Sequence, residues 1–395
     1  QFLNIQNCKV CNSKKNINLG DDRSFYIENL NQTVTLPYSI CENCHFIFQA
    51  KYVGDAFLNH YYKHSPMLRK SDVSDYEISQ NIRQSDFVDK HFRLKRKIPT
   101  TVLEIGAHAG AFLRHLNENY DCECYYDELS VDAKEILKSH GSLRDYNEYG
   151  KALKFDLIVL RHILEHIHNL EKFLNNIKKM LSENGVLFIE VPDWSHWDEN
   201  TDQFIFEHLN QFNSYNLNHL LNTYGWKIEA LEKSIDKDDP ATPNRVLRVI
   251  AKKSSLPLPL DNGIADYFKS FALDHHEGWK KRLNKILKYE LKEKKIALAP
   301  ASHLTYSALI ESNLKDAHII GMFDSNINKI NKKILGIDVY SHEKIKEFDV
   351  DIIIIFSLAY VPEIKKKFRE INNNFKFLSI NDLIKKNKTK SLFID

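Results

Sequence analysis

The sequence predicts an α/β protein, with a central run of alternating strands and helices between a small cysteine-bearing module and a second α/β run. Three observations carry this expectation. Apolar strand-like segments alternate with amphipathic helical ones from Thr101 to Lys252, the pattern of a parallel sheet with crossover helices. Two Cys-x-x-Cys pairs, Cys8/Cys11 and Cys41/Cys44, lie ahead of that run. The Pro-containing stretch Ser254 to Gly263 separates it from a further strand–helix series beginning at Lys295. At 395 residues the chain has room for two or three domains.

Composition excludes several classes. Lys and Arg total 55 against 53 Asp and Glu, and a net charge of +2 gives no electrostatic reason for a nucleic-acid or membrane partner. No apolar run approaches the ~20 residues of a membrane span, and no basic-then-apolar signal opens the sequence. The expectation is a cytoplasmic protein with neither nucleic acid nor membrane as partner.

Residues 1–65 read as a zinc-ribbon domain of short strands. Two Cys-x-x-Cys turns can present four thiolates tetrahedrally, which suits one zinc ion held by Cys8, Cys11, Cys41 and Cys44. Four thiolates fill the coordination shell, so the metal would be structural. The long gap from Cys11 to Cys41 requires an extended hairpin, and the alternative is two unrelated thiol pairs. Cys122 and Cys124 read as ordinary strand residues.

Residues 66–253 form the expected core, entered through one or two amphipathic helices between Asp72 and Lys97. Strand Thr101–Ile105, helix Ala111–Asn117, strand Glu123–Tyr126 and helix Asp132–Ser139 follow. Next come strand Phe155–Leu160, helix Asn169–Leu181 and strand Gly185–Val191. Helix Ser214–Tyr224, a strand near Trp226–Glu229 and a closing strand Arg245–Lys252 complete it. Residues 254–395 hold the linker, a long charged helix from Ile264 to Glu293, and a C-terminal Rossmann-like α/β domain. Its expected elements are strand Lys295–Ala299, helix Ser302–Ser312 and strands Ile319–Asp324 and Asp351–Phe356. The first turn there, Ala299-Pro300-Ala301-Ser302, has no glycine for a phosphate, so a covering or scaffolding role without a cofactor is expected.

The stretch from Val102 to Leu113 is the most informative. An apolar strand meets the acid Glu104, turns through Gly106 and Gly110, and enters a helix. Glycines at such a turn admit a ligand close to the backbone, because no Cβ intervenes. His108 holds the middle place, which departs from the dinucleotide Gly-x-Gly-x-x-Gly, and no P-loop Gly-Lys-Ser/Thr follows. An acid before the turn suits a cationic or hydroxyl-rich ligand better than a pyrophosphate. An acid ending the second strand can accept ribose hydroxyls; Glu128 is the first choice and Asp127 the fallback. Phe155-Asp156 then opens a strand leading to Arg161-His162-Ile163-Leu164-Glu165-His166-Ile167. Together these stretches resemble the class I S-adenosylmethionine-dependent methyltransferases. The resemblance implies a seven-stranded Rossmann-like methyltransferase core over residues 100 to 250, with a final hairpin. It also implies S-adenosylmethionine bound through Glu104, Gly106, Gly110 and Glu128 or Asp127.

A sulfonium is already activated, so methyl transfer needs no metal, but a hydroxyl or carbon acceptor needs a base. His208, His166 and His162 are candidates, and the carboxylate of Glu207 beside His208 can fix a tautomer. The alternative is that Glu207-His208 only starts a structural helix. Over nearly its full length the chain resembles the zinc-ribbon sugar C-methyltransferases of deoxysugar biosynthesis. The paired cysteines, Glu104–Gly110, Leu164–Ile167 and Glu207-His208 with Phe212 carry that likeness. It implies a nucleotide-linked 4-keto sugar as acceptor and a histidine of the Glu-His pair as the base for the C3 proton. Three departures stand beside it: Phe204-Ile205-Phe206 replaces an aromatic hydroxyl, Pro243-Asn244-Arg245 replaces a Gly-Gly pair, and the C-terminal turn lacks glycines. Tyr61 or Tyr62 is a candidate for a substrate-side hydroxyl, against simple packing on the ribbon. The runner-up function is O-methylation of a sugar or other small-molecule hydroxyl, and a third reading is an interaction module around a vestigial core.

Overall fold

The computed structural model describes residues 3–19, 23–28, 31–64, 75–95, 98–196, 205–235, 245–254, 278–357 and 360–384. The N-terminal strands are β1 (Leu3–Asn4), β2 (Asn16–Asn18), β3 (Arg23–Ile27), β4 (Gln32–Leu36), β5 (Tyr38–Cys41), β6 (Ile47–Gln49) and β7 (Lys51–Tyr52). Both cysteine turns repeat one geometry. Asn12 N–H donates to Cys8 O and His45 N–H to Cys41 O, each at 2.9 Å. Asn12 and His45, each following the second cysteine of its pair, stand at φ 58° and 55°. The β3–β4 hairpin fills the long gap between the pairs. It reaches the C-terminal part of the chain, where Ser24 N–H donates to Glu311 Oε1 and Tyr306 Oη–H to Glu28 Oε1, both at 2.7 Å.

Helices α1 (Asp55–His64) and α2 (Asp75–Lys95) lead into the core, the second as one continuous helix. The core strands are β8 (Thr101–Ile105), β9 (Glu123–Asp127), β10 (Leu143–Asp145), β11 (Phe155–Arg161), β12 (Leu181–Pro192), β13 (Asn210–Gln211), β14 (Trp226–Ile235) and β15 (Arg245–Lys253). All but β13 form a seven-stranded sheet in the order β10-β9-β8-β11-β12-β15-β14. The first five are mutually parallel, while β15 is antiparallel to both β12 and β14. Four helices connect them: α3 (Ala111–Asn119), α4 (Val131–Ser139), α5 (Leu170–Met180) and α6 (Ser214–Thr223). β11 is apolar from Leu157 to Leu160 because both its faces are covered. α5 shows the local logic: Asn169 Oδ1 caps Lys172 N–H at 2.9 Å, and Leu170, Leu174 and Ile177 bury one stripe. The chain order reverses between β8 and β11, so their carboxyl ends open a crevice.

β13 joins the other sheet. Asn210 pairs with Phe48 and Gln211 with Ile47, giving the order β13-β6-β5-β2. The cysteine module therefore takes its edge strand from the core, which the sequence reading did not anticipate. Two residues carry no readable period, and their partner lies far back in the chain.

Within the C-terminal part α7 (Gly278–Tyr289) precedes a six-stranded sheet. The linker and the expected helix before residue 278 lie outside the described residues, and α7 stops short of Glu293. The strands are β16 (Ile296–Ala299), β17 (Ile319–Phe323), β18 (Lys333–Ile334), β19 (Ile337–Tyr340), β20 (Ile352–Ile355) and β21 (Phe377–Ser379), ordered β18-β19-β17-β16-β20-β21. α8 (His303–Glu311) follows β16, and α9 (Val361–Ile371) and α10 (Ile380–Ile384) follow β20 and β21. At its first turn Asp324 Oδ2 accepts Ala301 N–H at 3.0 Å.

Asn210 is 1% exposed and stitches the two sheets together. Its Nδ2 donates to Leu164 O at 3.0 Å and Ile167 O at 2.8 Å, while its Oδ1 accepts Lys9 Nζ at 3.0 Å. Asn210→Ala leaves buried carbonyls unpaired and should cost about 1–3 kcal/mol. Urea denaturation measures this, and a loss below about 0.5 kcal/mol, the range of neutral surface changes, would contradict it.

Candidate active site

After β8 the chain turns through Gly106, His108 and Gly110 at φ 72°, 55° and 73°. His108 is held in that conformation by its N–H, which donates to Glu128 Oε2 at 2.9 Å. A Cβ on Gly106 would sit 2.2 Å from Ile163 Cδ1, so the turn packs directly against the loop following β11. Glu128 is buried, and its Oε1 accepts Leu129 N–H at 2.7 Å and Ser130 N–H at 2.8 Å. Asp127 O accepts Gly106 N–H at 2.7 Å, and its carboxylate takes Asn147 Nδ2 at 2.9 Å. Both acids thus stand at the crevice, with Glu128 shaping the glycine turn itself.

Glu104 is fully buried. Its Oε1 accepts Arg161 Nε at 2.6 Å, while Oε2 is buried with no hydrogen-bond partner among the described residues. Burial raises its pKa to about 7, against the opposing charge of Arg161. A buried acid with one unsatisfied oxygen beside a glycine cradle fits a ligand that carries an ammonium group, as S-adenosylmethionine does.

Arg161 opens a charged chain that the sequence reading missed. Its Nη1 donates to Gln84 Oε1 at 2.8 Å, and Gln84 Nε2 donates to Glu190 Oε1 at 2.6 Å. Arg248 then donates from Nε to Glu190 Oε2 at 2.6 Å and from Nη1 to Glu232 Oε1 at 3.0 Å. Register explains the last steps, since Glu190, Arg248 and Glu232 lie opposite one another on β12, β15 and β14. The available signal was a charge set against apolar neighbours, as in Phe188-Ile189-Glu190-Val191 and Val246-Leu247-Arg248-Val249. His162, at φ 52°, lies 3.2 Å from Glu165 Oε1 and 3.4 Å from Glu190 Oε1. Burial opposes its charge, but the two carboxylates win and raise it to about 10. An imidazole protonated at neutral pH has no lone pair to act as a base.

His166 and His208 come together, with ring centroids 5.0 Å apart. His166 Nδ1 lies 2.9 Å from Glu207 O and 3.0 Å from Tyr62 Oη. A carbonyl only accepts, so Nδ1 carries the hydrogen and Nε2 keeps the lone pair. Burial lowers the pKa of His166, with the charge of Glu165 opposing. Burial also raises Glu207 to about 7, although a hydrogen bond from Tyr61 opposes it. The cysteine module braces this segment: Tyr38 Oη–H donates to His208 O at 2.7 Å, and Gln49 Nε2 donates to Tyr38 Oη at 2.8 Å.

The thiols of Cys8, Cys11, Cys41 and Cys44 lie within 4.8 Å of one another. Cys8 Sγ is 3.4 Å from Cys44 Sγ, and Cys11 Sγ is 3.6 Å from Cys41 Sγ. Tetrahedral zinc with bonds of about 2.3 Å spaces its sulfurs about 3.8 Å apart, so the donor set and its spacing fit that ion.

Residues 77–231 match the family model described as a methyltransferase domain, and residues 301–377 match one described as C2185-like, N-terminal. Among curated proteins none matches. Solved structures similar to this chain include an S-adenosylmethionine-dependent methyltransferase from Clostridium acetobutylicum, at 17% identity over 51% of this chain and 98% of that one, with a TM-score of 0.36. The plantazolicin methyltransferase with SAH and a triazolic analogue is similar at 12% identity over 50% of this chain and 89% of that one, with a TM-score of 0.38. Coclaurine N-methyltransferase with N-methylheliamine and SAH is similar at 14% identity over 47% of this chain and 74% of that one, with a TM-score of 0.34. The matched domain, with the sheet order and glycine turn described above, makes this chain an S-adenosylmethionine-dependent methyltransferase.

Glu104 gives that conclusion a measurable signature. Its raised pKa leaves it partly protonated below about 7, and a ligand ammonium favours the ionised form. Binding of S-adenosylmethionine should therefore release a proton near pH 6–7 and tighten as pH rises through about 7. Calorimetry in buffers of unlike ionisation enthalpy reads the release, and Glu104→Gln should abolish it.

Proposed function

We propose that the chain methylates a sugar, and more narrowly a carbon of a nucleotide-linked keto sugar. The observation that carries this reading is the cluster at the crevice mouth. His166 presents Nε2 as an acceptor, with the His208 ring 5.0 Å away and the Tyr62 hydroxyl at 3.0 Å from Nδ1. Acid/base equipment of this kind is needed when the acceptor must lose a proton before it attacks. S-adenosylmethionine supplies a methyl group on a sulfonium, already activated for displacement. Glu104, Gly106, Gly110 and Glu128, with Asp127 beside them, hold that donor. His166, with His208 beside it, takes the proton next to the ketone on its Nε2, while Tyr62 Oη and the Glu207 carbonyl hold the ring at Nδ1. The choice of a sugar, and of a nucleotide on it, rests on the sequence resemblance.

The test is mass spectrometry of products from nucleotide-linked 4-keto sugars set beside the same sugars reduced to alcohols. Methyl gain on the ketones alone is expected. Gain on the alcohols would instead establish O-methylation, and silence on both would remove the sugar assignment. In deuterated water the wild type should exchange the α-proton of the ketone, and His166→Ala or His208→Ala should slow that exchange at least about a hundredfold, the usual contribution of a general base.

We also infer that the four cysteines hold one structural zinc ion. The first cysteine turn abuts Asn210 through Lys9, so the metal braces the segment bearing Glu207 and His208. Chelation should release one equivalent of zinc from the four cysteines and lower the melting temperature. It should also depress acceptor turnover more than S-adenosylmethionine affinity; an equal loss of both would contradict the bracing role.

A further inference from the structure

The acid/base cluster is also a set of metal ligands. One ligand atom each from Glu165, His166 and His208 lie within 4.8 Å of one another. Glu165 is 1% exposed, and its Oε2 is buried with no hydrogen-bond partner among the described residues. Its Oε1 is engaged by His162 Nδ1 at 3.2 Å, which leaves Oε2 as the unsatisfied atom. A buried carboxylate oxygen without a partner costs free energy, and a cation would satisfy it.

A second feature is independent of the first. Histidines that bind metals commonly donate their other ring N–H to a carbonyl, which fixes the tautomer and aims the ligating nitrogen. His166 has that arrangement, with Nδ1 at 2.9 Å from Glu207 O. Two imidazoles and one carboxylate with a position left open form a donor set that zinc and related ions accept. The four-cysteine site differs in kind, because its thiolates close the shell.

We propose that Glu165, His166 and His208 bind one divalent transition-metal ion, zinc foremost, when no acceptor is present. The ion occupies the imidazole nitrogens required for proton removal, so zinc acts as a reversible inhibitor competing with the acceptor. That consequence rests on the acceptor reading above, whereas the binding itself does not.

The test therefore uses the metal alone. Protein with its cysteine site filled by zinc is titrated with Co2+ and followed by visible absorption. One further equivalent is expected, with d–d bands and without the sulfur-to-cobalt charge transfer of thiolate ligation. Glu165→Gln and His208→Asn should each weaken that equivalent at least about tenfold, with circular dichroism showing each variant folded. No additional equivalent in the wild type overturns the proposal. So does undiminished binding in both folded variants. Failure of the sugar panel leaves this titration unaffected, and failure of the titration leaves the α-proton exchange result standing.

Discussion

The amide of Asn210 joins the cysteine module to the core, and the meeting of Glu165, His166 and His208 depends on that joint. The loop after β11 leaves the sheet, so its carbonyls lose their ladder partners and need donors from elsewhere. Asn210 supplies them at Leu164 and Ile167 while accepting Lys9 from the first cysteine turn. Lys9 is accordingly deep enough that burial lowers its pKa to about 7. The segment that bears Glu207 and His208 is thus tied to the loop that bears Glu165 and His166. Tyr38 and Gln49 fasten the backbone just before β13 from the other side. A four-cysteine cluster remote from the two imidazoles can in this way govern where they meet.

The glycine turn rests on a different constraint, the burial of charge beneath it. Glu104, Arg161, Glu190 and Arg248 each adjoin an apolar stretch of their strands, and Gln84 of α2 closes the row. Removing one member of such a buried set strands its partner, at a cost of about 3–5 kcal/mol, more than the set contributes when complete. The row therefore reads better as a device for position than as a source of stability. It holds Glu104 where burial raises its pKa to about 7 and where one oxygen has no hydrogen-bond partner among the described residues, and it sets His162 between two carboxylates that raise its pKa to about 10.

Much of this was legible from residue order. The β8 turn was visible because positive φ at Gly106 and Gly110 excludes most side chains, and the cysteine turns because their spacing is short and repeated. The long apolar and amphipathic segments between Thr101 and Lys253 were found with ends that shifted by a few residues, whereas helices α1 and α9 were not anticipated. β10 and β13 were not found, since three and two residues are too few for any period to show. The partnership of Tyr62 with His166 was visible only as a candidate hydroxyl, because its geometry depends on how α1 docks. His162 was one of three histidine candidates for the base, and only the fold brings Glu165 and Glu190 to its two ring nitrogens.

By itself the sequence determined the α/β alternation, the glycine turn, the acids near it and the four grouped cysteines. Each of these is written in local spacing, and local spacing sets backbone conformation. Tertiary structure alone decided which acids keep a free oxygen, which histidine carries its hydrogen on Nδ1, and that a strand of the core completes the cysteine module's sheet. Those properties depend on burial and on partners distant in the chain, and neither is set until the layers pack.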